Sequence, residues 1–311
     1  MRELFINQND ADQRVDKFLM KALPHLPKSL MYKYIRNKKI KVNRKRCEIS
    51  QRLQQGDVIQ CFIKDEFFLT EKKQDFLQVS KDIHVVYEDD DIIAVYKPVG
   101  LLVQKDQSGI QDNLTDRMLH YLYDHHQYDP YREQSFTPAF AHRLDRNTEG
   151  IVLAGKCAAA LRCLSEKLRT HEIEKYYLCV VEGEMKLKQG DLKFYHRKSE
   201  MDNKAELFVT KQPSTKLIHT SYRVLKDMQE TSLVEVRLHT GKSHQIRASF
   251  AFIHHPLYGD VKYGAKSQNT HQALCAYKVV FHFQSSDCYL QRLNGLEIVY
   301  IDDKWKTIMK V

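Results

Sequence analysis

The sequence predicts an α+β protein: a mixed, mainly antiparallel sheet carrying most of the chain, preceded by a small α+β module. Two observations lead there. Strand-like runs outnumber helix-like ones and do not alternate with them regularly, which argues against a doubly wound parallel sheet. The first sixty or so residues also carry their own apolar pattern and their own charge balance. At 311 residues the chain is long enough for one large core plus a small one. The expected division is residues 1–64, a linker at 65–80, and a second domain over 81–311.

In the first module Val15, Phe18, Leu19 and Leu23 recur at helical spacing, and Leu30, Met31, Tyr34 and Ile35 do so again after the Pro24–Pro27 break. KIKVN, 39–43, alternates polar and apolar before a turn at Asn43, and Gly56-Asp57 marks a second turn before VIQCFI, 58–63. DEFFLTEKKQDFLQVS, 65–80, is mixed in charge and weakly periodic, as a linker is. From Asp82 onward, IHVVYEDDDIIAVYKPVGLLV contains two strand-like runs around an acidic turn. Further strands are expected at 150–154, 175–181, 233–239 and 275–281, and helices at 112–123, 156–169 and 243–253.

Composition narrows the function classes. Apolar residues make up 42% and charged residues 29%, an ordinary globular balance rather than a disordered one. No apolar run reaches the ~18 residues that a membrane span needs. MRELFINQNDADQR lacks the apolar core of a secretory signal, so a cytoplasmic location and no membrane partner are expected. The seven cysteines are scattered without a C-x-x-C pair and no H-E-x-x-H occurs, so neither a disulfide framework nor a metal site is expected. Charge is the more informative quantity. Between Ala11 and Phe62 stand thirteen Lys or Arg against four Asp or Glu, which accounts for the whole formal excess of +9. From Lys28 to Arg46 there are nine basic residues and no acid, the footprint of a phosphate-binding face.

The chemistry-bearing stretch is HRLDRNTEG, 142–150. Arg143 and Arg146 flank Asp145 and would hold it ionised, and Asn147 and Gly150 put it on a loop that runs straight into the apolar IVLA. A carboxylate so placed serves as nucleophile, base, ion-pair anchor or simple loop salt bridge; spacing alone leaves these open. In EKYYLCVVEGE, 174–184, adjacent Tyr176 and Tyr177 on a strand send one ring to each face. In VEVRLHTGKSHQIRASF, 234–250, an alternating strand turns at Thr240-Gly241 and enters a helix with Ser243 as expected N-cap and Arg247 near its first turn. A cation there opposes the helix dipole unless an anion meets it.

These stretches together resemble the RluA-type pseudouridine synthase family. HRLDRNTEG matches its H-R-L-D-x-x-T-x-G, EKYYLCVVEG its K-x-Y strand, LHTGKSHQIR with HHPLYGDVKYG its third segment, and YKPVGLLV its K-P-x-G strand. VDKFL, LMYKYIRNKKIKVN and LQQGDVI resemble an S4 RNA-binding domain. The resemblance implies a pseudouridine synthase fold with an N-terminal S4-like domain, no cofactor, and an RNA partner, ribosomal large-subunit RNA before tRNA. It implies Asp145 as the catalytic aspartate, Tyr177 as the residue stacking on the target base, Arg247 as partner of the Asp145 carboxylate, and Ile246 packing in the base pocket, a position equally readable as core. Arg143 is implied to insert into the RNA stack once the target base is flipped out, and Lys33, Arg36, Lys38, Lys39, Arg44, Lys45 and Arg46 to dock the RNA. His142 and His244 are expected to be structural or hydrogen-bonding residues, and Gln245 is left open. Glu149 departs from the family's usual Ser or Thr; beside phosphates it would need a partner such as Lys156 or Arg146. A monomer is expected. Two other classes remain in view: a non-catalytic RNA-binding assembly factor, and a glycoside hydrolase, which would need a second carboxylate.

Overall fold

The computed structural model describes residues 1–68, 75–106, 112–199, 202, 204–267, 271–285 and 287–310. The first module begins with strand β1 (Arg2–Phe5) and helices α1 (Val15–Ala22) and α2 (Lys28–Arg36), followed by strands β2 (Ile40–Val42), β3 (Lys45–Arg46) and β4 (Val58–Cys61). The strands form one antiparallel sheet in the order β1-β4-β2-β3. Val15, Phe18 and Leu19 of α1 meet Met31 and Ile35 of α2 over Ile40 and Ile59 of the sheet, giving the module a core of its own. The apolar spacing seen in the sequence is that contact stripe.

The rest of the chain runs β5 (His84–Glu88), β6 (Ile92–Lys97), α3 (Leu114–Asp124), β7 (Ala139–Phe140), β8 (Glu149–Gly155), α4 (Ala158–Arg169), β9 (Ile173–Glu182), β10 (Gln189–Lys198), β11 (Ala205–Phe208), β12 (Lys216–Met228), β13 (Thr231–Leu238), α5 (Gln245–Phe252), β14 (Leu274–Phe281), β15 (Glu297–Val299) and α6 (Asp303–Lys310). Nine strands make the sheet order β11-β10-β12-β13-β9-β14-β8-β6-β5, with β15 beside β14 and β7 beside β8. Every described pairing is antiparallel except β14 with β8. The sheet is therefore mixed and mainly antiparallel, as the irregular order of strands and helices implies.

Both faces of this sheet are covered, so its central strands are buried at most positions. Along β6, Ile93 and Val95 point to the face covered by α3 and α5, and Ile92 and Ala94 to the face covered by α4. β8 is buried at all seven positions, which is why EGIVLAG reads as a continuous apolar run rather than an alternating one. Gly150 at its start is required. Its φ is +122°, and a Cβ there would lie 2.3 Å from the Ala276 carbonyl oxygen of β14. That close approach makes the parallel β8–β14 contact and fixes where the loop before β8 emerges.

The segment expected as linker holds two short 3-10 turns, Asp65–Phe68 and Asp75–Gln78; residues 69–74 lie outside the described residues. Phe67 and Phe68 pack on the first core, while Phe76 is buried in the second. Polar contacts join the two parts. Asn9 Nδ2 donates to Glu133 at 2.9 Å, its Oδ1 accepts from the Ala158 amide at the start of α4 at 3.0 Å, and Ser135 Oγ donates to the fully buried Asp10 at 2.5 Å.

Glu149 is not beside phosphates. Its carboxylate is buried, accepts from Trp305 Nε1 and Lys304 Nζ at 2.7 Å each and from Tyr96 OH at 2.9 Å, and so anchors α6 against the sheet. Lys156 pairs instead with Glu88 at 2.8 Å. Replacing Glu149 by Ser removes the acceptor for a fully buried indole N–H, so Glu149→Ser is expected to lower unfolding stability by about 2–4 kcal/mol in urea titration. A loss within experimental error would show that α6 is held by apolar contact alone.

Candidate active site

Four segments meet at one cavity of about 490 Å³ on the α5 side of the sheet: the 142–148 loop, β9, the end of β13 and the loop into α5. The backbone sets each in place. Lys97, fully buried at the end of β6, donates to the carbonyls of Pro98, Leu101 and Arg146 at 2.8, 2.8 and 2.9 Å. The Gly100 amide donates to Arg146 O at 2.9 Å, so the K-P-V-G turn and the Asp145 loop hold each other. Burial pushes the Lys97 ammonium down to about 8. The Thr148 amide donates to Asp145 O at 3.0 Å, closing the turn that presents the aspartate.

Asp145 is about 30% exposed and faces the cavity. Arg247, the third residue of α5, reaches it through Nη1 at 3.5 Å. The expected Asp145–Arg247 contact exists, but it is the looser of two. Arg247 Nε and Nη2 donate to the two oxygens of Asp260 at 2.7 Å each, and Asp260 is almost wholly buried. This fork on a carboxylate is the geometry an arginine prefers. Arg143 and Arg146, expected to hold Asp145 ionised, do not pair with it: Arg146 Nε donates to Gly100 O at 3.1 Å, and both side chains are exposed. Neighbours in sequence point apart on a turn, whereas α5 delivers its guanidinium from across the sheet.

Tyr177 and Tyr176 do go to opposite faces. Tyr177 is buried in the cavity wall, where burial and the Asp145 charge raise its hydroxyl well above the ordinary range and keep the phenol neutral. Tyr176 lies on the other face, with Lys278 Nζ 4.2 Å from its ring centre. Ile246 lines the cavity and also belongs to the main core, so both readings of that residue apply.

The loop into α5 differs from expectation at its cap. The N-cap is His244, in the left-handed region at φ 55°, and not Ser243. Gln245 explains how the strained residue is held. Its Oε1 accepts from Thr240 Oγ1 at 2.9 Å and the Lys242 amide at 3.2 Å, and its Nε2 donates to His219 O at 3.1 Å and Thr220 Oγ1 at 2.9 Å. His244 Nδ1 meets Tyr263 OH at 3.0 Å, and its Nε2 stands 3.9 Å from Asp145. Tyr263 in turn lies under the Arg247 guanidinium at 5.0 Å. A cluster of Asp191, His219, Ser221 and His239 on the opposite face bonds internally, Asp191 Oδ1 meeting His219 Nε2 and Ser221 Oγ at 2.6 Å each.

The seven basic residues expected to dock RNA are all exposed on the first module. Lys33 and Arg36 lie on α2; Lys38 and Arg44 take left-handed turn conformations at φ 60° and 64°; Lys45 and Arg46 form β3; and Lys39 Nζ sits 5.5 Å from the Tyr34 ring. Among the described residues none of the seven pairs with a carboxylate. Sequence reasoning missed two site residues, Asp260 and Lys175. Both stand inside motifs already quoted, H-P-L-Y-G-D and K-Y-Y.

Comparison with known proteins gives the class to which this sheet, its cavity and the appended four-stranded module belong. Residues 91–252 match the RNA pseudouridylate synthase family model, and residues 13–59 match the S4 domain. An uncharacterised RNA pseudouridine synthase of Mycoplasma genitalium is 33% identical over 296 residues, covering 90% of this chain and 88% of that one. Ribosomal large subunit pseudouridine synthase C of Vibrio cholerae is 30% identical over 277 residues, covering 86% and 82%. The structure of human RNA pseudouridylate synthase domain containing 4 superposes with a TM-score of 0.56 at 18% identity, covering 73% of this chain and 91% of that one, a likeness of fold. The chain belongs to the RNA pseudouridine synthase family.

His142, at the cavity wall, makes a backbone hydrogen bond of the kind expected of a structural or hydrogen-bonding residue. Its Nε2 accepts the Leu153 amide at 3.2 Å, and burial pushes its pKa down to about 3. Below its ordinary 6.5 the unfolded chain binds a proton that the folded chain refuses, so this contribution to stability is full above 6.5 and declines as pH falls toward 3. His142→Gln, which keeps an acceptor, is expected to lose less thermal stability than wild type between about pH 7 and about pH 5. Identical losses would exclude a buried neutral imidazole at this position.

Proposed function

We propose that the enzyme converts specific uridines to pseudouridine in large-subunit ribosomal RNA in the cytoplasm, with Asp145 as its essential group. The observation that carries this reading is the convergence of Asp145, Tyr177 and Arg247 on one cavity from three separate segments. The relatives named as ribosomal large-subunit enzymes support the ribosomal target.

The reaction breaks the N1–C1′ bond, turns the base, and joins C5 to C1′ with loss of the C5 proton; it is redox-neutral. One carboxylate suffices, either as nucleophile at C1′ or as base at C2′. Arg247, pinned by Asp260, keeps a positive charge at a set distance from Asp145 without swinging into the cavity. Tyr177 and Ile246 form the apolar wall against which the detached base stays in place. A paired uridine must be extruded first, at a cost of a few kcal/mol, and the exposed guanidinium of Arg143 at the cavity rim fills the vacated place in the stack. The unpaired basic face of the S4 module holds the surrounding RNA through its phosphates.

Asp145→Asn is expected to abolish pseudouridine formation while RNA affinity stays within about threefold. The assay is carbodiimide mapping of RNA from cells lacking the protein and restored with wild type or variant; turnover by the variant would overturn the role of Asp145, and lost sites confined to tRNA would overturn the ribosomal target. Replacing Lys38, Lys39 and Lys45 together by Ala should weaken RNA binding and reduce the slope of log affinity against log salt by roughly one unit per lost phosphate contact. An unchanged slope would mean that this face does not touch RNA.

A further inference from the structure

The negative charge in the cavity changes place at the moment of bond cleavage. Arg247 is engaged by Asp260 at 2.7 Å and by Asp145 at 3.5 Å, so these three groups together carry one negative charge before any reaction. Breaking N1–C1′ leaves the bonding pair on the base while the Asp145 carboxylate is consumed, either as an ester at C1′ or by taking the C2′ proton, so the negative charge passes from Asp145 to a uracil anion. Arg247 stays fastened to Asp260 and beside Asp145, so without a further cation the base anion would have no charged partner of its own in a pocket partly closed to water.

Among the cations lining the cavity, Arg143, Lys198 and Lys242 are exposed, as suits phosphate contact at the rim. Lys175 is different. It stands on β9 two residues before Tyr177, so strand alternation puts both side chains on the cavity face. Its ammonium is recessed beside the Gly241 turn, with Nζ 3.5 Å from where a Cβ on Gly241 would lie. Among the described residues it makes no ion pair or hydrogen bond, and burial lowers its pKa. A recessed lysine with no partner is costly in the free enzyme. Such a cost is repaid only if an anion arrives.

We propose that Lys175 is a catalytic residue whose ammonium binds the uracil anion released from C1′, at its O2 or O4, and neutralises it while Tyr177 and Ile246 hold the ring for reattachment through C5. After cleavage, with Asp145 esterified or protonated, Lys175 and Arg247 stand against Asp260 and the base, and the four charges cancel. A group that meets charge present only after cleavage accelerates the step without tightening ground-state binding. The inference rests on the synthase reading of the site.

The test compares wild type, Lys175→Met and Lys175→Arg on one RNA substrate in single-turnover and binding assays. Lys175→Met is expected to lower the cleavage rate about 10²–10³-fold with RNA affinity nearly unchanged, the range seen when one oxyanion donor is lost, and Lys175→Arg to recover a substantial part. RNA carrying 5-fluorouridine at the target, whose base anion is intrinsically more stable, should show a distinctly smaller Lys175→Met penalty for loss of the N1 glycosidic bond. Equal penalties on both substrates, or a loss confined to RNA affinity, would overturn the proposal in favour of phosphate binding or packing. Circular dichroism and thermal melting of Lys175→Met separate misfolding from lost chemistry, and the Arg variant provides the reading if the Met variant unfolds. An inactive wild type on every RNA tried would instead strike at the synthase reading, whereas an active wild type with an unimpaired Lys175→Met would strike at Lys175 alone.

Discussion

Burying the guanidinium of Arg247 is the constraint around which the active-site side of this protein is arranged. A charge cannot be taken out of water without a partner, and the partner is Asp260, almost fully buried and bonded through both oxygens. The pair fastens α5 to the segment after it. That segment also carries Tyr263, which lies under Arg247 and holds His244, the left-handed residue at the head of α5. One ion pair therefore fixes the helix, its cap and the loop below it, and leaves a single guanidinium nitrogen directed at Asp145.

The sheet supplies the second constraint. Its central strands are covered on both faces, so β8 and β14 must approach closely enough to pack without a void, and Gly150 permits that approach. The loop preceding β8 is consequently delivered to the cavity with its backbone already fastened by Lys97. On β9 the same geometry sorts adjacent side chains: Lys175 and Tyr177 face the cavity, and Glu174 and Tyr176 face away, with Tyr176 OH bonded to Glu174 at 2.8 Å. The chemistry-bearing residues thus sit on a loop, a strand and the first turn of a helix, whose positions are decided by packing elsewhere.

Charge is layered by depth. The S4 module offers unpaired, solvated cations that attract phosphates at little cost to stability, and the cavity rim repeats that arrangement with Arg143, Lys198 and Lys242. Deeper in, Arg247 is paired with Asp145 and Asp260, while Lys175 has no partner among the described residues. The apolar wall of Tyr177, Ile246 and Leu274 gives a detached base a place to turn while remaining within reach of the sugar.

Local pattern was enough to read much of this. The helical spacing of Val15, Phe18 and Leu19, the alternation in KIKVN and the apolar runs at β6, β8, β9, β13 and β14 are local patterns, with a period of about 3.6 residues in a helix and two in a strand, that each segment carries within itself. Asp145, Tyr177 and Arg247 were legible because their motifs are contiguous. The β10–β12 meander was not: β12 turns Ile218, Thr220 and Tyr222 to the buried face and His219 and Arg223 to the other, the buried Thr220 is polar, and the register shifts between Val224 and Lys226, which breaks the alternation that would reveal a strand. Helix α6 was missed because most of its eight residues are polar and it is held chiefly by Trp305. What a charge pairs with is a different kind of question. Asp145 stands between two arginines in sequence yet meets a third one 102 residues away, and Glu149 is satisfied by Trp305, 156 residues on. The sequence by itself determined which groups are present and which of the strongly patterned segments are strands or helices, since those depend on neighbours along the chain. Only the tertiary structure decided which charges are buried together and which is left without a partner, because electrostatic pairing depends on distance through space and on the water that packing excludes.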